Sequence, residues 1–107
     1  NNYDDFLFKS STIVNENITV TIFIAREAST QGVAEQAENV ISNYMQIASR
    51  KELNCLYLDD LRYALKERIS TYKRAEFSAP DTDIELEKGK VIMPGKISVT
   101  ITNVGGA

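Results

Sequence analysis

The first clear pattern along the chain is an alternation of apolar and polar residues with a period of two, which is typical of a β-strand. Asn-Glu-Asn at residues 15–17 supplies turn residues just before it. We therefore predict an N-terminal hairpin that pairs residues 6–14 with residues 18–25, in a register that the sequence leaves open. Four β-branched residues define the inner side of the second strand: Ile18, Val20, Ile22 and Ile24.

A helical period follows. Ser29 or Thr30 is suited to cap a helix that extends to about Arg50. The polar residues of this segment fall outside one apolar arc, so the pattern predicts an amphipathic helix packed on a core. The arc consists of Val33, Ala37, Val40, Ile41, Tyr44, Ile47 and Ala48.

A second helix is predicted from an N-cap at Asp59 to about Phe77, before Ala79-Pro80 interrupts it. Its apolar face consists of Leu61, Ala64, Leu65, Ile69 and Tyr72. Between the two helices, residues 53–58 form a short apolar run, which is either a strand or a buried connector.

The last third of the chain predicts strands. Ile84 and Leu86 alternate with acids, and Lys88-Gly89 is a turn that would pair this strand with the next one. We expect one long strand from residue 90 to about residue 102, bent or bulged at Pro94-Gly95, because proline is confined to edges and bulges. An unbroken alternation would place six residues on one side: Val91, Met93, Gly95, Ile97, Val99 and Ile101.

These elements predict a single α+β domain over residues 1–107, in the order ββ-αα-ββ. We expect a two-layer sandwich in which two helices pack on one face of an antiparallel or mixed sheet of four to five strands. The longest apolar run is far shorter than a membrane span, and no signal peptide is recognisable, so we expect a soluble chain without a membrane span.

Composition argues against several kinds of chemistry. The chain has no histidine, the usual general base and the commonest metal ligand. Its single cysteine, Cys55, lies among leucines and is predicted to be a buried thiol, and the formal net charge of −3 disfavours a nucleic-acid partner. Asp83, Glu85 and Glu87 on one strand are only a weak candidate for a hard cation. We therefore expect no enzyme, no cofactor and no metal.

Basic residues suggest one alternative function. Arg68 falls inside the apolar arc of the second helix, where a guanidinium must reach solvent, pair with an acid or contact another molecule. Arg62, Lys66 and Lys73 form a basic stripe beside it. The sequence is thus compatible with a small accessory domain that binds an anionic ligand or partner at these residues.

The leading hypothesis is a non-catalytic structural or interaction module that self-associates or joins a larger assembly. The outer face of the first helix is polar but almost uncharged, so a protein partner could cover it without stripping water from ions. The long strand, about 40 Å, should extend beyond the second helix, about 25 Å, and an overhanging edge strand is a pairing site. The candidate interface comprises Gln36, Asn39, Asn43, Gln46, Arg68, Pro94, Gly95, Ile97, Val99 and Ile101.

Overall fold

The computed structural model describes residues 12–46 and 50–105. Within these residues, two helices cover one face of a three-stranded mixed sheet, with a small two-stranded sheet alongside, which confirms the predicted α+β two-layer architecture. No helix among the described residues is long and apolar enough to cross a membrane. The elements in chain order are β1 (Thr12–Ile24), α1 (Val33–Tyr44), β2 (Cys55–Leu56), α2 (Leu58–Arg68), β3 (Tyr72–Ala79), β4 (Ile84–Glu85) and β5 (Lys90–Asn103).

β1 is the central strand of the main sheet. It pairs antiparallel with β3 on one side and parallel with β5 on the other. Helix α1 contacts β5 and α2 contacts β3, so the two helices divide the covered face between them. The apolar side of β1 faces the helices, as the sequence predicts, and its residues are buried in the core: Ile18, Val20, Ile22 and Ile24.

The predicted N-terminal hairpin is wrong where the structure can test it. Residues 12–24 form one uninterrupted strand that runs through the Asn-Glu-Asn segment. The turn preference of these residues is overridden because β5 pairs along the whole length of β1, and because Asn17 uses its side chain to accept a hydrogen bond from the backbone N–H of Lys96 at 2.9 Å. The rest of the proposed partner strand, residues 6–11, lies outside the described residues.

Both helices exist as predicted but are shorter. α1 begins after Gly32, whose φ of 77° suits glycine, while the hydroxyl of Ser29 accepts the N–H of Gln31 in the preceding loop. It ends at Tyr44 rather than near Arg50, and the predicted apolar residues Ile47 and Ala48 lie outside the described residues.

α2 ends at Arg68 rather than at Phe77, and the chain then forms strand β3. Its N-cap is Tyr57 and not Asp59, which lies in the first turn together with Asp60. Leu61 and Leu65 are buried as predicted. Ala79-Pro80 therefore follows a strand and not a helix.

The short apolar run before α2 contains strand β2, which pairs with β4. This replaces the predicted hairpin between β4 and β5, although a turn is present at Lys88-Gly89, where Gly89 has a φ of 93°. Leu86, just after β4, also bonds to the segment before β2, because its N–H donates to the carbonyl of Asn54 at 2.9 Å.

The long last strand is confirmed, as is its irregularity. β5 runs from Lys90 to Asn103, at an edge of the sheet, and its register against β1 shifts between Glu16 and Ile18. Over this interval Asn17 faces both Gly95 and Lys96, which is the two-against-one arrangement of a β-bulge.

The bulge corrects the predicted alternation in β5. Val14 pairs with Ile92 and Ile18 pairs with Ile97; because the two β1 residues share a face, so do their partners. Ile92 is fully buried in the core, whereas Val91 pairs with the exposed Ile13 on the opposite face. The extra residue thus moves Ile92, and not Val91 or Met93, to the side of Ile97, Val99 and Ile101.

Candidate interaction surface

β5 is one of the two edge strands of the main sheet, so its outer side has no neighbouring strand among the described residues. The N–H of Val104 donates to the carbonyl of Ile24 on β1 at 2.9 Å. The N–H and C=O groups of successive residues point to opposite sides of a strand. Those of residues 98, 100 and 102 therefore point to β1, as those of Val104 do. The N–H and C=O groups of Ile97, Val99, Ile101 and Asn103 therefore point away from the sheet.

The first half of the same edge is covered by the chain itself. The N–H of Ile92 donates to the carbonyl of Leu53 at 2.8 Å, and the guanidinium of Arg50 donates to the carbonyl of Ile92. Pro94, two residues further on the same side, has no N–H to leave unpaired. Against the described residues, the longest unpaired stretch of the edge is therefore residues 97–103, which we call the open β5 segment.

The bulge marks the boundary of this segment. Gly95 is placed so close to β1 that a Cβ atom at this position would overlap Oδ1 of Asn17. Pro94 and Gly95, which the sequence selects as interface residues, thus shape the strand by fixing the bulge. The other three β5 residues of that prediction, Ile97, Val99 and Ile101, lie in the open segment, half-buried against the core.

The open β5 segment carries no charged residue and is rich in β-branched ones. The opposite edge of the sheet differs, because β3 presents Lys73, Arg74 and Glu76. Arg62 of α2 also donates from Nε to the carbonyl of Ala75 on β3 at 3.1 Å. Charged side chains and a capped carbonyl protect an edge from strand pairing. After its bulge, β5 carries no charged residue, and no described residue caps its outward carbonyls.

The neutral face of α1 lies elsewhere on the molecule. Gln36 donates from Nε2 to the carbonyl of Arg68 at 2.9 Å, so this flank of α1 faces the end of α2 rather than the edge of β5. Asn39 and Asn43 line a groove of about 410 Å³ with Gln36 and Arg68. Gln46 donates to the carbonyl of Ser42 and is not among the lining residues.

Four of the predicted interface residues thus meet in one groove, which we call the helix groove. Arg68 is exposed and makes no ion pair with any residue in the described ranges. Two acidic residues lie near Arg68. Glu35 lines the helix groove, and Glu67 lines the depression into which the groove continues.

The helix groove continues into a second depression of about 320 Å³ between α1 and α2. Val40, Tyr44 and Ala64 line it, together with Tyr63, whose side chain is 65% exposed. Tyr63 is missing from the predicted interface. Its position outside the apolar arc of α2 is the signal that could have identified it.

The predicted basic stripe is not a single surface of α2. Lys73 lies on β3, because the helix ends before it. Arg62 is engaged by its own neighbours: it pairs with Asp59 at 2.9 Å, and its Cζ lies 5.3 Å from the ring centre of Phe77. Lys66 is exposed in the last turn of α2. Only Lys66 and Arg68 thus remain exposed basic residues on this helix.

A polar cleft of about 240 Å³ lies at the other end of the helices. Tyr44 donates to Asp60 Oδ2 at 3.1 Å, and burial, followed by this hydrogen bond, raises the pKa of Tyr44 to about 12. Hydrogen bonds to Cys55 and to Glu85 raise the pKa of Tyr57. Cys55 is half-buried and lines this cleft, so the prediction of a buried thiol is wrong.

Burial in the same region lowers the pKa of Arg50, whose Nη2 atom donates to the carbonyl of Leu53. The Nε and Nη1 atoms of this guanidinium are buried, and neither has a hydrogen-bond partner among residues 12–46 and 50–105. Arg50 thus joins the loop before β2 to the covered half of the β5 edge.

The three acids considered as a cation site have separate roles. Asp83 Oδ1 accepts the N–H of Leu58 at 2.8 Å, and Glu85 Oε2 accepts the hydroxyl of Tyr57 at 2.9 Å. The carbonyl of Glu87 accepts the N–H of Lys90 in the turn before β5. Within the described ranges, no three acidic, cysteine or histidine residues are grouped so that they could hold a metal ion.

No family model matches the chain, and no curated protein matches it.

Proposed function

We propose that this chain is a non-catalytic interaction module, a subunit of a larger protein assembly, which joins its partner by strand addition at the open β5 segment. The observation that carries this proposal is an uncharged edge whose outward N–H and C=O groups belong to Ile97, Val99, Ile101 and Asn103. Such groups are a template for an added strand, which gains main-chain hydrogen bonds.

The difference between the two edges of the sheet supports this assignment. A protein that avoids strand pairing protects both edges, yet β3 is charged and contacted by Arg62, whereas β5 beyond its bulge is neither. The chain also covers the first half of the β5 edge with Leu53 and Arg50. The site of strand addition is therefore confined to residues 97–103.

Val99→Pro tests the proposal, because it removes an outward N–H without removing a hydrogen bond to β1. Val99→Thr is the matched control, since it keeps the N–H and the β-branched shape. The chain is expressed with a small tag in its source cells, and extracts are separated by size. The wild type and Val99→Thr should elute well above the 12.0 kDa of this chain, and Val99→Pro should lose that complex. A wild-type monomer, or a Val99→Pro complex of unchanged size, would contradict the proposal.

A second candidate function is binding of an anionic ligand at Arg68. The exposed guanidinium, unpaired among the described residues, favours it, as do the amides of Asn39 and Asn43 in the helix groove. Glu35 and Glu67 weaken it by opposing an anion. Titration with inorganic phosphate, followed by NMR, should shift signals of the groove in the wild type and not in Arg68→Gln. Signals that stay unshifted in both proteins would refute an anion site.

A further inference from the structure

We propose that the strand added to the open β5 segment is the same segment of a second copy, in antiparallel orientation around a twofold axis at Thr100. This inference rests on the proposed function and specifies its partner. A twofold interface requires one surface to be complementary to itself, and the open segment meets this requirement in its backbone, its side chains and its charge.

The backbone fixes the register. With the axis at Thr100, Val99 of one copy lies opposite Ile101 of the other, and Ile97 lies opposite Asn103. All four outward residues of each copy then exchange N–H and C=O groups with outward residues of the other. The two three-stranded sheets become one continuous sheet.

The side chains of the five central residues, 98–102, match in the same register. On the helix-covered face, Val99 meets Ile101, and both are already half-buried against the core. On the other face, Ser98 meets Thr102 and the exposed Thr100 meets its own counterpart. Apolar β-branched pairs and hydroxyl pairs directly opposite each other stabilise antiparallel strands.

Charge favours the antiparallel orientation. Lys96 precedes the open segment and is the charged residue nearest to it in the described part of β5. An antiparallel pair centred on Thr100 separates the two copies of Lys96 by about 26 Å, whereas an in-register parallel pair would place them side by side.

The β3 edge limits the assembly to a closed dimer. Pairing of β3 with the β5 of another copy would produce a ring or an open filament instead of a twofold dimer. It would also bring Lys73, Arg74 and Glu76 against an uncharged strand and displace the hydrogen bond from Arg62 to Ala75. Among the described strands of the main sheet, the open β5 segment is then the one edge left to pair, and a twofold dimer pairs it completely.

Two charge variants at Thr100 test the twofold axis. The Thr100 side chain is exposed, so Thr100→Lys and Thr100→Glu leave the core intact, but each places like charges opposite each other in the dimer. We expect the purified wild type to have twice the mass of the chain, and each variant alone to dissociate with a Kd raised about tenfold or more. An equimolar mixture of the two variants should restore a dimer that contains one copy of each. Ser78→Lys on β3 is the control and should leave the Kd unchanged.

The outcomes distinguish this inference from the proposed function. A purified wild type that stays monomeric at about 1 mM, the weak end of measurable affinity, would overturn the second copy as partner. The proposed function would then still be tested separately, by whether cell extracts contain a complex of this chain and whether Val99→Pro loses it. Variants that dimerise as tightly as the wild type, or a mixture that fails to restore the dimer, would overturn the axis at Thr100.

Discussion

Asn17 on β1 and Gly95 on β5 are in direct contact across the bulge, and this contact determines which β5 residues face the core. Asn17 Oδ1 accepts the N–H of Lys96 and lies where a Cβ of residue 95 would have to be. The bulge is therefore stabilised by the side chain of Asn17 and requires a residue without a side chain at position 95.

Gly95→Ala should destabilise the protein by about 0.5–1.5 kcal/mol, because the new methyl group displaces the exposed Asn17 amide and breaks its hydrogen bond with the N–H of Lys96. In an Asn17→Ala background, the same substitution should cost clearly less, since the obstructing side chain is gone. Urea denaturation of the four proteins measures this coupling as a double-mutant cycle. Strictly additive losses would show that the two positions do not interact.

The same contact explains why the sequence predicts the long strand but not its facing. Proline and glycine in the middle of an alternating pattern indicate a bulge. Whether the alternation changes afterwards depends on how many residues the partner strand places opposite, and here that partner is more than seventy positions away. The helix-covered side of β5 therefore follows from the pairing and not from the local pattern.

Strand β3 is the element that the sequence analysis missed. Leu65, Ile69 and Tyr72 continue the helical spacing of α2, so periodicity extends the helix into the strand. A period-two signal is nevertheless present, because Arg74, Glu76 and Ser78 are exposed and alternate with Ala75 and Phe77. Pairing with β1 along residues 72–79 outweighs the local preference.

The candidate surface was partly predictable for similar reasons. Neutral residues along α1 were recognisable from the helical period alone, and they do line a groove. That the groove ends at Arg68 depends on how α2 packs against α1. Periodicity gives the faces of single elements, and only tertiary contacts bring Gln36 to the carbonyl of Arg68.

Asp83 should prove to be a cap of α2, supplied from the segment before β4. Its carboxylate accepts the N–H of Leu58, one of the donors that a helix N-terminus leaves unsatisfied. Asp83→Ala should lower the free energy of unfolding by about 1 kcal/mol. Asp81→Ala, at an exposed acid two residues earlier, is the matched control for the change in charge and should have little effect. Equal losses in the two variants would contradict the capping role.

Arg62 should matter more for stability than its salt bridge with Asp59. The Asp59 side chain is 92% exposed, so Asp59→Ala should cost less than about 0.5 kcal/mol. Arg62→Met should cost about 1–2 kcal/mol, because it also removes the hydrogen bond to the carbonyl of Ala75 and the contact with the ring of Phe77. Thermal unfolding of both variants at low and high salt compares them. A loss in Arg62→Met that disappears at high salt would mean that the ion pair dominates after all.

Tyr44 should make stability depend on pH in the alkaline range. Its pKa is raised from 10.0 to about 12 in the folded protein, chiefly by burial and then by its hydrogen bond to Asp60. Between these values the unfolded chain loses the proton while the folded one keeps it, so the unfolded state binds fewer protons and the stability falls as the pH rises. The contribution is complete below pH 10 and is lost as the pH rises to about 12. Because Tyr44 is only partly buried, we expect a loss of about 1 kcal/mol rather than the full value for such a shift.

Urea unfolding of the wild type and Tyr44→Phe from pH 8 to pH 11.5 isolates this group from the other tyrosines. The stability difference between the two proteins should decrease above about pH 10, and a constant difference would refute the assigned coupling to Asp60 and burial.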